Sequence, residues 1–84
     1  MESAIAVAND VDYGLQAAVF TRDVATAMRV VRDLEAGNVV VNDSSDYRVD
    51  AMPFGGVKSS GLGCEGVSFA MDEMTTTKMV CLNL

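Results

Sequence analysis

The sequence predicts an α/β fold that is incomplete as a stand-alone unit. Three observations point there. Two mostly apolar runs, Leu15–Phe20 (LQAAVF) and Asn38–Asn42 (NVVVN), flank a segment of helical periodicity, which makes one βαβ unit in under 30 residues. Its strands are expected to be parallel, with a right-handed crossover. Parallel sheets are covered on both faces, so two such strands call for more sheet and more helix than the chain supplies. Finally, Thr75–Leu84 (TTTKMVCLNL) reads as a strand apolar on both faces, and an open edge of that kind needs a specific partner.

Taken in order, Met1–Ala8 reads as a short helix, with Glu2 early and Asn9-Asp10 as its stop. Two turns of helix are marginal alone, so this segment looks like the tail of an element that begins earlier. Asp12-Tyr13-Gly14 is turn chemistry. Leu15–Phe20 follows as a strand fit for burial on both faces. Thr21 and Asp23 can both cap the next helix, and Asp23 suits the positive end of its dipole. Val24, Ala27, Met28, Val31 and Leu34 recur at helical spacing as one apolar stripe. Gly37 is placed to end the helix in a left-handed conformation. After Asn38–Asn42 comes a loop of about twenty residues to Gly63, holding the only proline, Pro53, and four of the seven glycines. Tyr47, Met52, Phe54 and Val57 can pin it, so an ordered functional loop is expected. Glu65–Met74 reads as a helix with Val67, Ala70, Met71 and Met74 on one face. There is no internal repeat and no linker.

Composition removes several function classes. The 84 residues hold six Lys plus Arg against twelve Asp plus Glu, a net charge of -6. Phosphate binding needs clustered positive charge, which argues against nucleic acid and against anionic membrane surfaces. No apolar run approaches the ~20 residues of a membrane-spanning helix, and no basic-then-apolar start suggests a signal peptide. Two cysteines are too few for a disulfide scaffold, so a reducing cytoplasm is the expected compartment. With no histidine in the chain, Ser-His-Asp and Cys-His catalysis are absent, as are histidine-containing zinc sets.

Each candidate motif has a plainer competitor. Gly61–Gly66 matches G-x-G-x-x-G, but no strand runs directly into it and no acid follows at the ribose-binding distance, so its glycines are expected to serve tight turns and close approach. Lys58-Ser59 lacks the glycine spacing of a P-loop. Cys64 is expected to be an ordinary thiol and Cys81 a core residue. Asp43, Asp46 and Asp50 lack calcium-loop spacing and are expected to bond the turns of their own loop. Tyr47 and Arg48 have no periodic reason to sit mid-loop. They are either substrate contacts or a solvated arginine stacked on its neighbour.

Pro53-Phe54-Gly55-Gly56, Lys58, Ser60-Gly61 and Gly63, with Glu65 after them, resemble the C-terminal signature of the aldehyde dehydrogenase superfamily. The resemblance extends to Ala6–Asp10, Tyr13–Asp23, Leu34–Gly37 and Val39–Asn42, in register over nearly the whole chain. It implies a partial aldehyde dehydrogenase catalytic domain, with residues 1–74 as the C-terminal part of that domain and 75–84 as an oligomerisation strand. The parent would be an NAD(P)-dependent enzyme that oxidises an aldehyde to a carboxylic acid through a thiohemiacetal. The family's nucleophilic cysteine, general-base glutamate and cofactor-binding segments have no counterpart in these residues. No catalytic, cofactor-binding or metal residue is therefore assigned, and the 84 residues alone are expected to bind no NAD or NADP and to be inactive.

What the resemblance does assign is a substrate-tunnel loop, with Phe54 in the tunnel wall and Tyr47 and Arg48 facing the distal end of the aldehyde. The wording SSDYRVDAMPFGG is similar to the semialdehyde and phosphonoacetaldehyde branch, and Arg48 could pair with an anionic tail. Implied partners are the rest of an aldehyde dehydrogenase chain, a second subunit through the last strand, and a small aldehyde. Two positions depart from the pattern: Cys64 stands where arginine is usual, and Thr76 where glutamate is often found, both near the subunit interface. A truncated non-catalytic paralogue and an independent small binding domain are the competing readings.

Overall fold

The computed structural model describes all 84 residues. Helix α1 spans Glu2–Asn9, β1 Tyr13–Gly14, β2 Gln16–Val19, α2 Val24–Asp33, β3 Asn38–Val41, β4 Val57–Lys58 and α3 Val67–Met74. Strands β2 and β3 pair in parallel, Gln16 opposite Asn38 through Val19 opposite Val41, with α2 as the crossover. The βαβ unit is present as expected. Asp23 caps α2, its Oδ2 accepting the Thr26 N–H at 2.8 Å. This satisfies one of the donors that a helix start leaves free.

The chain is extended and thinly packed. Its radius of gyration is 17.4 Å and its extents are 64 × 28 × 20 Å, whereas a compact domain of this length would have a radius near 12 Å. Val30, 5% exposed, is the single buried hydrophobic residue. It faces an apolar hollow of about 260 Å³ bordered by Ile5 and Ala8 of α1, Val19 of β2 and Leu34. The α/β unit is a partial domain, since its parallel sheet has only two strands.

Several expectations change. The inner face of α2 is Ala27 and Val30, continued by Leu34 just past its end, whereas Val24, Met28 and Val31 of the expected stripe lie exposed. Two helical stripes compete in this segment, and the sheet covers only one of them. Strand β2 is half-buried and not covered on both faces. Gly37 does not terminate α2, which stops at Asp33 with Leu34 in an extended conformation. Tyr13-Gly14 is no free turn: it forms an antiparallel pair with Val57-Lys58 inside the long loop. The expected terminal strand makes no ladder, because no edge within the chain pairs with it. Residues 75–84 are exposed, and so is Cys81, which had read as core.

Candidate functional site: the loop between β3 and α3

The loop begins at a fixed point. Asn42 adopts φ 61°, a left-handed conformation that asparagine tolerates better than most residues. Its N–H donates to the Val19 carbonyl at 2.8 Å, and its Oδ1 accepts the Thr21 N–H at 2.8 Å. The side chain thus joins the ends of β2 and β3. The next turn is held by its own polar groups: Ser44 N–H donates to Asp43 Oδ1 at 2.8 Å, and the Ser44 hydroxyl bonds the Asp46 carboxylate. Asp43 and Asp46 therefore act as turn residues. The Gln16 amide reaches across to the Tyr47 carbonyl at 2.9 Å.

Arg48 and Phe54 come together. The guanidinium carbon of Arg48 lies 4.2 Å from the centroid of the Phe54 ring, a cation–π geometry. The expected stack was on Tyr47, but a side chain next in sequence points elsewhere, and Phe54 arrives where the loop turns back. Arg48 Nη2 also pairs with Glu65 Oε2 at 2.9 Å. Phe54 and Glu65 form an isolated antiparallel bridge, the Phe54 N–H donating to the Glu65 carbonyl at 3.0 Å and the Glu65 N–H returning the bond. The bridge fixes the arginine's counter-ion beside its aromatic platform. Both charged groups are partly exposed, so the pair itself contributes little stability.

Arg48 borders a concave region of about 440 Å³ together with Asp50, Cys64, Glu65 and Glu73. It is the one cation there, among three carboxylates. Tyr47 and Phe54 do not line this region: Phe54 supports Arg48 from behind, and Tyr47 lies outside.

The glycines that resemble a dinucleotide motif serve the backbone. Gly61, Gly63 and Gly66 have φ of +137°, +82° and +126°, conformations that glycine adopts without steric cost. Glu73 approaches this turn, its Oε1 accepting the Cys64 N–H at 3.2 Å. That backbone donor is therefore already engaged by a carboxylate.

In the scaffold, ion pairs and the helix cap lower the pKa of three carboxyls. A bond from Arg29 holds Glu2 below the usual carboxylate range, and Arg32 does the same for Asp33. Asp23 is lowered by its side-chain bond with Thr26 and then by the Thr26 backbone. Sequence reasoning did not find the pairing of Arg48 with Glu65 or the anchoring of Lys58 described below. Their partners lie 17 and up to 49 residues away, so no local spacing marks them.

The anchored loop, the parallel βαβ unit and the short helix after the glycines define a piece of a larger α/β fold. The chain belongs to the aldehyde dehydrogenase family, whose sequence profile matches residues 1–80. It is 58% identical over 83 residues to aspartate-semialdehyde dehydrogenase 1 of Pseudomonas canavaninivorans, covering 99% of this chain and 18% of that protein. Among solved structures it resembles a glyceraldehyde-3-phosphate dehydrogenase of Methanocaldococcus jannaschii complexed with NADP, with a TM-score of 0.85 and 55% identity over 87% of this chain and 16% of that one. It also resembles an NAD+ complex of an aldehyde dehydrogenase from Bacillus cereus, with a TM-score of 0.87 and 42% identity, over the whole of this chain and 17% of that one. The chain therefore spans less than a fifth of the length of the relatives it matches.

Proposed function

We propose that these residues are the C-terminal part of an NAD(P)-dependent aldehyde dehydrogenase that oxidises a small, anionic aldehyde to a carboxylic acid. Nucleophile, general base and cofactor site belong to other parts of that enzyme. This part contributes the loop at the mouth of the substrate tunnel and, through Thr75–Leu84, a contact between subunits of a cytoplasmic homo-oligomer. Arg48 binds the anionic tail, Phe54 holds Arg48 in place, and Tyr47 borders the entrance.

The observation that carries this reading is the stacking of Arg48 on Phe54 at the edge of a concave region. The ring holds the guanidinium plane, and the donors that Glu65 does not engage are available to a planar anion. Likeness to enzymes named for aspartate semialdehyde and glyceraldehyde 3-phosphate, each of which carries an anionic group, is in keeping with this substrate class.

Arg48→Ala in the full-length enzyme tests it. A hydrogen bond to a charged group is worth about 1.5–3 kcal/mol, so KM for aspartate semialdehyde or glyceraldehyde 3-phosphate should rise about 10- to 100-fold. A neutral aldehyde of similar length should be little affected. Equal effects on both would make Arg48 a structural residue only.

A further inference from the structure

Lys58 is the conspicuous residue of the loop signature that substrate binding leaves without a role. Its φ is 54°, a conformation that non-glycine residues rarely adopt. Its side chain is only 26% exposed. Its Nζ lies 2.6 Å from Glu35 Oε2, 2.7 Å from the Asn9 carbonyl and 3.2 Å from the Val11 carbonyl. An ammonium group has three N–H donors and no acceptor, and here three oxygens converge on it.

Those oxygens lie beside a knot whose own bonds do not involve Lys58. The Asn9 side chain donates to the Asp33 carbonyl at 2.8 Å and accepts the Glu35 N–H at 2.9 Å. It thereby joins the end of α1 to the end of α2. Lys58 fastens the loop to that junction while its backbone pairs with Tyr13. Neighbouring contacts fasten the same strip: the Ser60 hydroxyl accepts the Gly14 N–H at 2.8 Å, and the Ser59 N–H donates to the Asp12 carbonyl at 2.9 Å. Phe54, four residues before Lys58, is the platform under Arg48.

We propose that Lys58 is a positioning residue: its ammonium ties the Phe54–Ser60 strip to the α1–α2 junction and so sets where the substrate-facing arginine and its ring stand. This rests on the substrate-loop reading given above. It predicts that losing Lys58 harms aldehyde binding without touching the aldehyde directly.

The test uses the full-length enzyme with Lys58→Met, Lys58→Arg and Glu35→Gln, and Arg48→Ala beside them. Lys58→Met keeps a stem of similar length and removes all three donors. The expected result is an aldehyde KM raised about tenfold or more with the cofactor KM unchanged, and faster hydrogen exchange confined to amides 54–60. Lys58→Arg should rescue only partly, since a planar guanidinium does not match three converging oxygens. Glu35→Gln, which keeps an acceptor but removes the charge, should give a smaller rise of the same kind. Unchanged aldehyde KM, or equal changes in both KM values, overturns the proposal. If Lys58→Met does not fold, an unchanged aldehyde KM in folded Glu35→Gln overturns it equally. Arg48→Ala separates the two claims: no anion-selective effect there, with the Lys58 effects intact, would refute the anionic-substrate reading and leave the positioning role standing.

Discussion

Gly37 offers the sharpest test of the packing between loop and scaffold. A Cβ at this position would lie 1.7 Å from the Gly55 carbonyl oxygen and 2.7 Å from its carbon. Both are backbone atoms, so no rotamer change can relieve the overlap. The two segments would have to part by about 1.7 Å to restore an ordinary contact. Overpacking costs about 1–3 kcal/mol, and an unavoidable clash of backbone with backbone belongs at the top of that range. Gly37→Ala in the full-length protein should therefore lose about 3 kcal/mol, read as a lower urea midpoint at unchanged slope. Gly37→Asn discriminates the cause. If Gly37 were a left-handed helix terminator, asparagine would be a tolerated substitute. Because the constraint is the nearness of Gly55, asparagine should be at least as harmful as alanine. A Gly37→Ala effect within about 0.5 kcal/mol, or an asparagine variant clearly milder than alanine, would refute the reasoning.

Two other predictions concern the helix cap and the tail. The Asp23 carboxyl is held below its ordinary pKa by Thr26, so its stabilising effect is fully present above the unfolded value near 3.8 and is lost as pH falls through the lower folded value. Melting temperature followed from about pH 5 to pH 2 should fall less steeply in Asp23→Asn than in the parent, and an identical slope would count against the cap's role. If the proposed subunit contact runs through the tail, Val80→Asp with Leu82→Asp in the full-length enzyme should dissociate the oligomer or make it insoluble, because carboxylates buried unpaired in that contact are costly. An unchanged oligomer on sedimentation would show that this segment is not the joint.

The parts of the fold legible in the sequence are those with a local signal. Helical spacing over Val24–Leu34 and the apolar runs on either side gave the βαβ unit, and Asp23 marked the start of α2 within a residue. That the loop is tied down was legible too, from the residues that could pin it, although the bonds that hold it are polar ones. What escaped has no local period. Strands β1 and β4 have two residues each and lie more than 40 residues apart, too short to alternate. Arg48 chose Phe54 and Glu65 over Tyr47 because the loop doubles back, which adjacency in sequence does not reveal. Val30 escaped because α2 offers two stripes, and only the position of β2 and β3 decides between them. Gly37 looked like a helix terminator because that is glycine's commoner task at such a place, while its actual constraint comes from Gly55.

The difference between what is satisfied and what is left open explains why the loop can be ordered on so slight a scaffold. The apolar groups are mostly uncovered: Phe20 is 73% exposed, and Val24, Met28 and Val31 share an open face of α2. Burial here stabilises little, since Val30 is the one apolar side chain that is buried rather than half-covered. The polar connections, by contrast, are largely closed within the chain. Asn42 joins two strand ends, Asn9 joins two helix ends, and Lys58 and the hydroxyl of Ser60 fasten the loop to both. Each bond of this kind is worth only about 0.5–1.5 kcal/mol net, or 1.5–3 where a charge takes part, but each fixes geometry. Apolar coverage belongs to the larger fold, which must supply the missing sheet and helices around α2. The placement of Arg48 belongs to this segment: its direct partners, the Phe54 ring and the Glu65 carboxylate, lie within the loop, and Lys58 ties that loop to the α1–α2 junction.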